Sequence, residues 1–243
     1  MKASGRYHVI KLLAFCVWLI IPAISGAQQR APIAEQIGKA YGVDSFGQIE
    51  AIRYTFSIPE FKLSRTWVWE PKTDTVSYEG KDKQGKPVTV TYKRAELDSQ
   101  SENVKKQIDP AFVNDHYVLL FPLHVAWDTW ATVTDEGMHE MPISKKSARR
   151  VVVKYPGEGG YSPGDTWALY VGKNHRIEEF VYRRNGTTYP TVYTATWAGR
   201  KKAGPLLVST ELAGTAEDGK QVTILITDVA VKVTGSDGWI NAQ

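Results

Sequence analysis

The sequence predicts a mainly β fold: an open, strongly curved antiparallel sheet of about ten strands, or incomplete β-barrel, with a helical lid or plug insert and a short N-terminal helix. Three observations support this prediction. Apolar and polar residues alternate in two groups of segments, turn-forming residues separate those segments, and an unusually apolar stretch with helical features divides the two groups.

The first 27 residues have the features of a secretory signal peptide. Three basic residues precede the apolar run 12–21, and small residues follow it up to a predicted cleavage site after Ala27. The run is shorter than the roughly 20 apolar residues that a transmembrane helix needs. We therefore expect residues 28–243 to form a single mature domain in the periplasm; an uncleaved N-terminal anchor is the alternative.

The only cysteine, Cys16, lies inside this apolar run. The mature chain would then have no thiol for a disulfide, a thiolate metal site or a nucleophile. Lipidation of Cys16 is disfavoured because the bulky Phe15 precedes it. The segment also carries three of the 30 Lys and Arg residues and none of the 26 acidic ones, so the mature chain is nearly neutral, which argues against nucleic acid as a partner.

The first elements of the mature chain are a helix and four strands. Apolar residues at helical spacing over 32–42, ending at Gly42, predict the helix. The period then changes to two, which is typical of half-buried strands. The predicted strands cover residues 52–58, 62–70, 76–78 and 88–92.

The insert, residues 96–130, is predicted to be helical in two parts. The first part, 96–108, is polar, and Asp109-Pro110 begins a second part that is nearly all apolar by Phe121. Pro122 is expected to interrupt the helix, because proline lacks an N–H and clashes with the preceding turn. This insert is the predicted lid or plug.

A second group of six strands follows the insert. Asn185-Gly186 and Asp218-Gly219 match the type I′ turns of two-residue hairpins, and short turns throughout predict an up-and-down order. His139-Glu140, before this group, is assigned to an irregular loop. The predicted strands are 148–155, 165–171, 175–184, 187–198, 204–213 and 220–233.

Several local segments, together with this order of elements, resemble the LolA/LolB-like superfamily of periplasmic outer-membrane lipoprotein carriers. The segments are Tyr161-Ser162-Pro163-Gly164-Asp165-Thr166-Trp167-Ala168-Leu169-Tyr170-Val171, then Ile177-Glu178-Glu179-Phe180-Val181-Tyr182, and finally Asp228-Val229-Ala230-Val231. The resemblance implies an open sheet whose mouth is covered by helices and whose interior holds acyl chains. It also implies membrane-associated donor and acceptor proteins as partners.

The residues themselves also predict an apolar ligand. An unclosed barrel of about ten strands is too wide for side chains alone to fill, so it needs a plug or a ligand. Aromatic and large apolar side chains on strands and insert are candidate walls, although each could equally be core packing. These candidates are Tyr54, Phe56, Trp67, Trp69, Phe112, Tyr117, Leu120, Phe121, Trp127, Trp130, Trp167 and Trp197.

Arg65 is a further candidate because it follows the strand face of Leu63, Trp67 and Trp69. A buried arginine must be paired or hydrogen-bonded. An inward Arg65 could contact a lipid head group or, as the resemblance implies, latch to carbonyl groups of the lid. An arginine at the rim of the sheet is the alternative.

Catalytic and metal-binding motifs are weak in this sequence. Gly160 to Gly164 matches G-x-S-x-G, but Pro163 lacks the N–H that an oxyanion hole needs and a strand follows, so a turn is predicted. No histidine spacing typical of a metal site occurs. We predict a monomeric, non-enzymatic carrier of an apolar ligand or lipid, without cofactor or metal. The alternatives are a structural protein with a filled core and a periplasmic enzyme that uses Asp115, His116 and Asp128.

Overall fold

The computed structural model describes residues 31–82, 85–158, 162–185 and 193–243. The predicted signal peptide with Cys16, the residues Gly160 and Tyr161, the turn residue Gly186, and the first half of the predicted strand 187–198 lie outside the described residues.

The described residues form one open antiparallel sheet, and the predicted mainly β fold is confirmed. Thirteen strands are present where about ten were predicted. The spatial order is β4-β3-β2-β1-β12-β11-β9-β8-β7-β6-β5, with β10 paired to β11 and β13 to β12, so that β4 and β5 are the two free edges. The strands are β1 (Ile49–Ile58), β2 (Leu63–Glu70), β3 (Thr75–Lys81), β4 (Pro87–Lys93), β5 (Thr132–Glu140), β6 (Ser147–Lys154), β7 (Thr166–Val171), β8 (Ile177–Arg183), β9 (Tyr193–Thr196), β10 (Ala198–Ala203), β11 (Leu206–Ala216), β12 (Gln221–Val233) and β13 (Ile240–Asn241).

Two α-helices cover the inner face of this sheet. Helix α1 (Pro32–Ala40) matches its prediction, and a π-helical turn, Val104–Ile108, leads into α2 (Asp109–Trp127). Short 3-10 helices occur at Val43–Gln48, Pro59–Phe61, Arg94–Ser99 and Lys173–His175. None of the helices in the described residues is long and apolar enough to cross a bilayer.

Helix α2 is continuous through Pro122, so the predicted interruption there is wrong. A proline inside a helix costs about 3 kcal/mol through the lost hydrogen bond and the clash of its ring. Every residue from Leu119 to Val125 is buried. Packing on all sides of this half of the helix stabilises it enough to offset that cost.

The sequence prediction missed the strands that are mostly polar. His139 and Glu140 end strand β5 and are not in a loop, and β10 was not predicted. The turn at Asp218-Gly219 is not of type I′, because only Gly219 has a positive φ, of 82°. Gly219 N–H donates to the Ala216 carbonyl at 2.9 Å and Ala216 N–H to that of Lys220 at 2.8 Å, which is the pattern of a three-residue hairpin loop.

The main core lies between the inner face of the sheet and the two helices. Alternate residues of β1, Ile52, Tyr54 and Phe56, are buried beneath α2. Helix α1 packs closely on the far end of α2, where a Cβ atom on Gly38 would stand 2.6 Å from the Cβ of Ala126. A smaller apolar cluster forms separately, and its members are Met141, Ala148, Ala168, Tyr170 and Val181.

Candidate functional site

A cavity of about 400 Å³ lies between the N-terminal half of α2 and the inner face of the sheet. Its size falls within the roughly 300–1,000 Å³ typical of small-molecule sites. Alternation along β1 and β8 brings Phe56, Ile58 and Phe180 to this side of the sheet. Most of the wall is apolar, and its apolar members also include Pro110, Val113, Val118, Trp167, Leu212 and Ile224.

One end of the cavity is polar. Asp165 precedes β7 and is only 7% exposed; its carboxylate accepts hydrogen bonds from the Tyr182 hydroxyl at 2.7 Å and the Asn185 N–H at 3.0 Å. Burial, and then the nearby Asp165, raise the pKa of Tyr182, while Arg184 opposes that rise. The Tyr182 hydroxyl therefore stays protonated and acts as a donor at neutral pH.

A buried ion pair fixes α2 to the sheet beside this cavity. Arg65 Nη2 donates to Asp115 Oδ1 at 3.0 Å, and Arg65 Nε lies 2.9 Å from Oδ2. Trp67 Nε1 donates to the same Oδ2 at 3.0 Å. Arg65 thus points inward, but its partner is a side-chain carboxylate of α2, so the expected contact with lid carbonyl groups is not the one found.

The environment of Asp115 makes its charge costly. Burial is the largest effect and raises the pKa of Asp115 to about 6, although Arg65, Asn114 and Trp67 all favour the ionised form. A carboxyl group with that pKa is still mostly ionised at pH 7. The ion pair therefore holds at neutral pH and weakens as the pH falls below 6.

A second polar cluster lies at the C-terminal end of α2. Asp128 Oδ2 accepts from the hydroxyl groups of Tyr117 and Tyr155, the latter at 3.0 Å, and the two hydroxyl oxygens are 2.5 Å apart. His124 Nδ1 lies 3.2 Å from Asp128 Oδ1. Burial disfavours the Asp128 charge, but His124, Tyr117 and Tyr155 together outweigh it and lower the pKa of Asp128.

The residues of the hypothetical enzyme do not meet at one point. Asp115 binds Arg65, Asp128 binds His124 and the two tyrosines, and the His116 ring packs against Trp69 at 4.3 Å between ring centroids. Burial also lowers the pKa of His116 well below its usual value. Within the described ranges, no three His, Cys, Asp or Glu side chains group in a way that could hold a metal ion.

Three of the thirteen predicted ligand-binding residues line the cavity, namely Phe56, Tyr117 and Trp167. Arg65 lines a second, more polar cleft of about 440 Å³ beside Phe61 and Lys81. Trp130 is 49% exposed, and Trp69 and Trp127 are half-buried against the core. The other six lie in the core: Tyr54, Trp67, Phe112, Leu120, Phe121 and Trp197.

Most cavity residues carried no distinctive sequence pattern. Val113, Val118, Leu212 and Ile224 are ordinary apolar residues at ordinary spacing. Only the strand alternation could have pointed to Phe180, two positions before Tyr182, because residues at that spacing share a face. Residues at the ends of strands, such as Asp165, follow no alternation rule.

No protein-family model and no curated protein matches the sequence. Among solved structures, the chain is similar to a DUF1329 family protein from Desulfovibrio piger, with 10% identity, 85% of this chain and 95% of that chain covered, and a TM-score of 0.43. It is also similar to a LolA superfamily protein from Nitrosomonas europaea, with 8% identity, coverage of 81% and 92%, and a TM-score of 0.43.

Proposed function

We propose that this protein is a periplasmic carrier that shields an apolar ligand, such as an acyl chain, between α2 and the sheet. The observation that carries the proposal is the largely apolar cavity beneath the N-terminal half of α2. An elongated apolar molecule placed there would be removed from water along most of its length. Residues 1–27 would direct export and then be removed.

The N-terminal half of α2 covers the cavity, so its movement would let a ligand enter or leave. Asn114 and Pro110 are exposed, whereas Val113 and Val118 are half-buried and face the cavity. Moving this half of α2 away from the sheet would open the cavity, and no nucleotide is needed when one apolar environment replaces another. A membrane-associated donor or acceptor protein could provide that second environment.

The test fills the cavity with a larger side chain placed on α2. Val118→Trp places a large ring in the space, while Val152→Trp makes the same change at a half-buried valine next to the separate apolar cluster. We expect diphenylhexatriene, a neutral hydrocarbon probe, to bind the wild type and Val152→Trp alike. We expect Val118→Trp to bind it at least tenfold more weakly, because the ring occupies the ligand's volume.

Native mass spectrometry of protein produced with its export signal complements this test. Co-purified lipid in the wild type, absent from Val118→Trp, would support a carrier. A wild type that carries no lipid and binds no hydrocarbon probe would exclude the carrier and favour the filled-core alternative.

A further inference from the structure

The cavity has its polar groups at one end. Thr166 of β7 pairs with Arg183 of β8, so Asp165, just before β7, and Arg184, just after β8, lie at the same end of this hairpin. Both line the cavity, and they are its only charged lining residues among those that the structure describes. Leu212 and Ile224 belong to the apolar part of the lining.

The two charges at this end are not equivalent. The Asp165 carboxylate is buried and already accepts from the Tyr182 hydroxyl and the Asn185 N–H. The Arg184 side chain is exposed and lies beside the same Tyr182 hydroxyl. Arginine has five N–H donors, so one hydroxyl leaves most of them available.

Arg184 is one of four arginines in the described residues, with Arg53, Arg176 and Arg183, that form no ion pair with a described carboxylate. In the described ranges, Arg65, Arg94, Arg149, Arg150 and Arg200 each lie within 4 Å of a carboxylate. An exposed guanidinium that lines an apolar cavity stands where the cavity opens to water, so it can pair with an anionic head group while the chain of the ligand lies inside.

We propose that the ligand is a single-chain amphiphile with an anionic head group, specifically a long-chain carboxylate. Its head group pairs with Arg184, and its chain lies against Val118, Phe180 and Leu212. The planar guanidinium suits a carboxylate because two parallel N–H···O bonds can form. This inference rests on the carrier function proposed above and names the class of its ligand.

The test compares head groups on one chain. Hexadecanoate, its methyl ester and hexadecyl phosphate are titrated at pH 7.5 into the full-length mature protein, with displacement of diphenylhexatriene as the readout. We expect hexadecanoate to bind about fivefold more tightly than the ester, because the ion pair with the exposed guanidinium is lost in the ester. Tighter binding of the phosphate than of hexadecanoate would overturn the carboxylate assignment.

A matched pair of arginine variants locates the contact. Arg184→Gln should weaken hexadecanoate binding about fivefold and leave the ester unchanged. Arg183→Gln should keep the wild-type preference, because alternation along β8 turns Arg183 away from the cavity-lining Tyr182. Thermal unfolding of each variant confirms that it is folded.

The outcomes separate this inference from the carrier proposal. Equal binding of acid and ester by the wild type, or an unchanged preference in Arg184→Gln, would overturn the head-group assignment and leave a carrier of neutral ligands. A failure of the acid, the ester and the hydrocarbon probe to bind would overturn both.

Discussion

Asp115 in the N-terminal half of α2 and Asp128 just beyond its C-terminus are both buried, yet their pKa values move in opposite directions. Each carboxylate has three side-chain partners. Burial is the strongest influence on both, but it prevails only at Asp115, which is covered by the helix and the sheet together. The number of partners therefore does not decide the direction of the pKa shift; the balance between burial and the partners does.

The two halves of α2 also differ in how tightly they pack. The C-terminal half of α2 has Phe121 stacked on Trp167 at 4.1 Å and is buried from Leu119 to Val125. The N-terminal half borders the apolar cavity through Val113 and Val118, and the more polar cleft through Ala111. One half anchors the helix, and the other leaves room for a ligand.

Truncation of a core side chain should give the largest difference between the two halves. Phe121→Ala should lower the free energy of unfolding by about 3–5 kcal/mol, because the ring is fully buried and its loss leaves a void. Val118→Ala should cost only about 1 kcal/mol, because the half-buried valine already faces open space. Urea denaturation measures both values, and equal losses would contradict the proposed division of the helix.

The pH dependence of stability should distinguish the two carboxylates. A pKa raised to about 6 in the folded protein means that Asp115 favours folding below pH 4 and that this contribution is lost as the pH rises through 6. Relative to the wild type, Asp115→Asn should therefore gain about 3 kcal/mol in unfolding free energy between pH 4 and pH 7.

Asp128→Asn provides the opposite control. The pKa of Asp128 is lowered in the folded protein, so its contribution to stability is present above pH 4 and lost as the pH falls. Its asparagine variant should lose stability relative to the wild type as the pH rises through 4. Denaturation series at several pH values test both variants, and curves of the same sign would disprove the assignment.

A smaller effect is expected where α1 meets the anchored half of α2. A methyl group on Gly38 would stand 2.6 Å from the Cβ of Ala126, so Gly38→Ala should destabilise the fold by about 1–2 kcal/mol despite the better helix propensity of alanine. Gly47→Ala, where no atom lies within 4 Å, should change stability by less than about 0.5 kcal/mol. Thermal unfolding compares the two.

Periodicity predicted the elements whose burial is regular. Strands such as β1, with Ile52, Tyr54 and Phe56 on one face, followed directly from alternation. Strand β5 was missed because all but two of its nine residues are exposed, as suits an edge strand, and it therefore has no apolar face to detect. The prediction that Pro122 interrupts the helix was wrong because tertiary packing outweighs the low helix propensity of proline.

The site was harder to predict because the type of a residue does not tell whether it lines the cavity or packs in the core. Trp67 and Trp167 are both aromatic residues on strands, but only Trp167 borders the cavity. Arg65 could be assigned an inward direction from its strand face, whereas its partner Asp115 lies 50 residues further along the chain. Such long-range pairs depend on how the helix docks, which no local pattern contains.

The unpaired edges β4 and β5 bear on how large a ligand the proposed carrier could accept. In a closed barrel, the number and stagger of the strands fix the diameter. Here, in the part of the chain that the structure describes, the first and last strands of the sheet are not joined. The sheet can therefore flatten or curl, and its interior can grow or shrink, without breaking a single hydrogen bond between neighbouring strands.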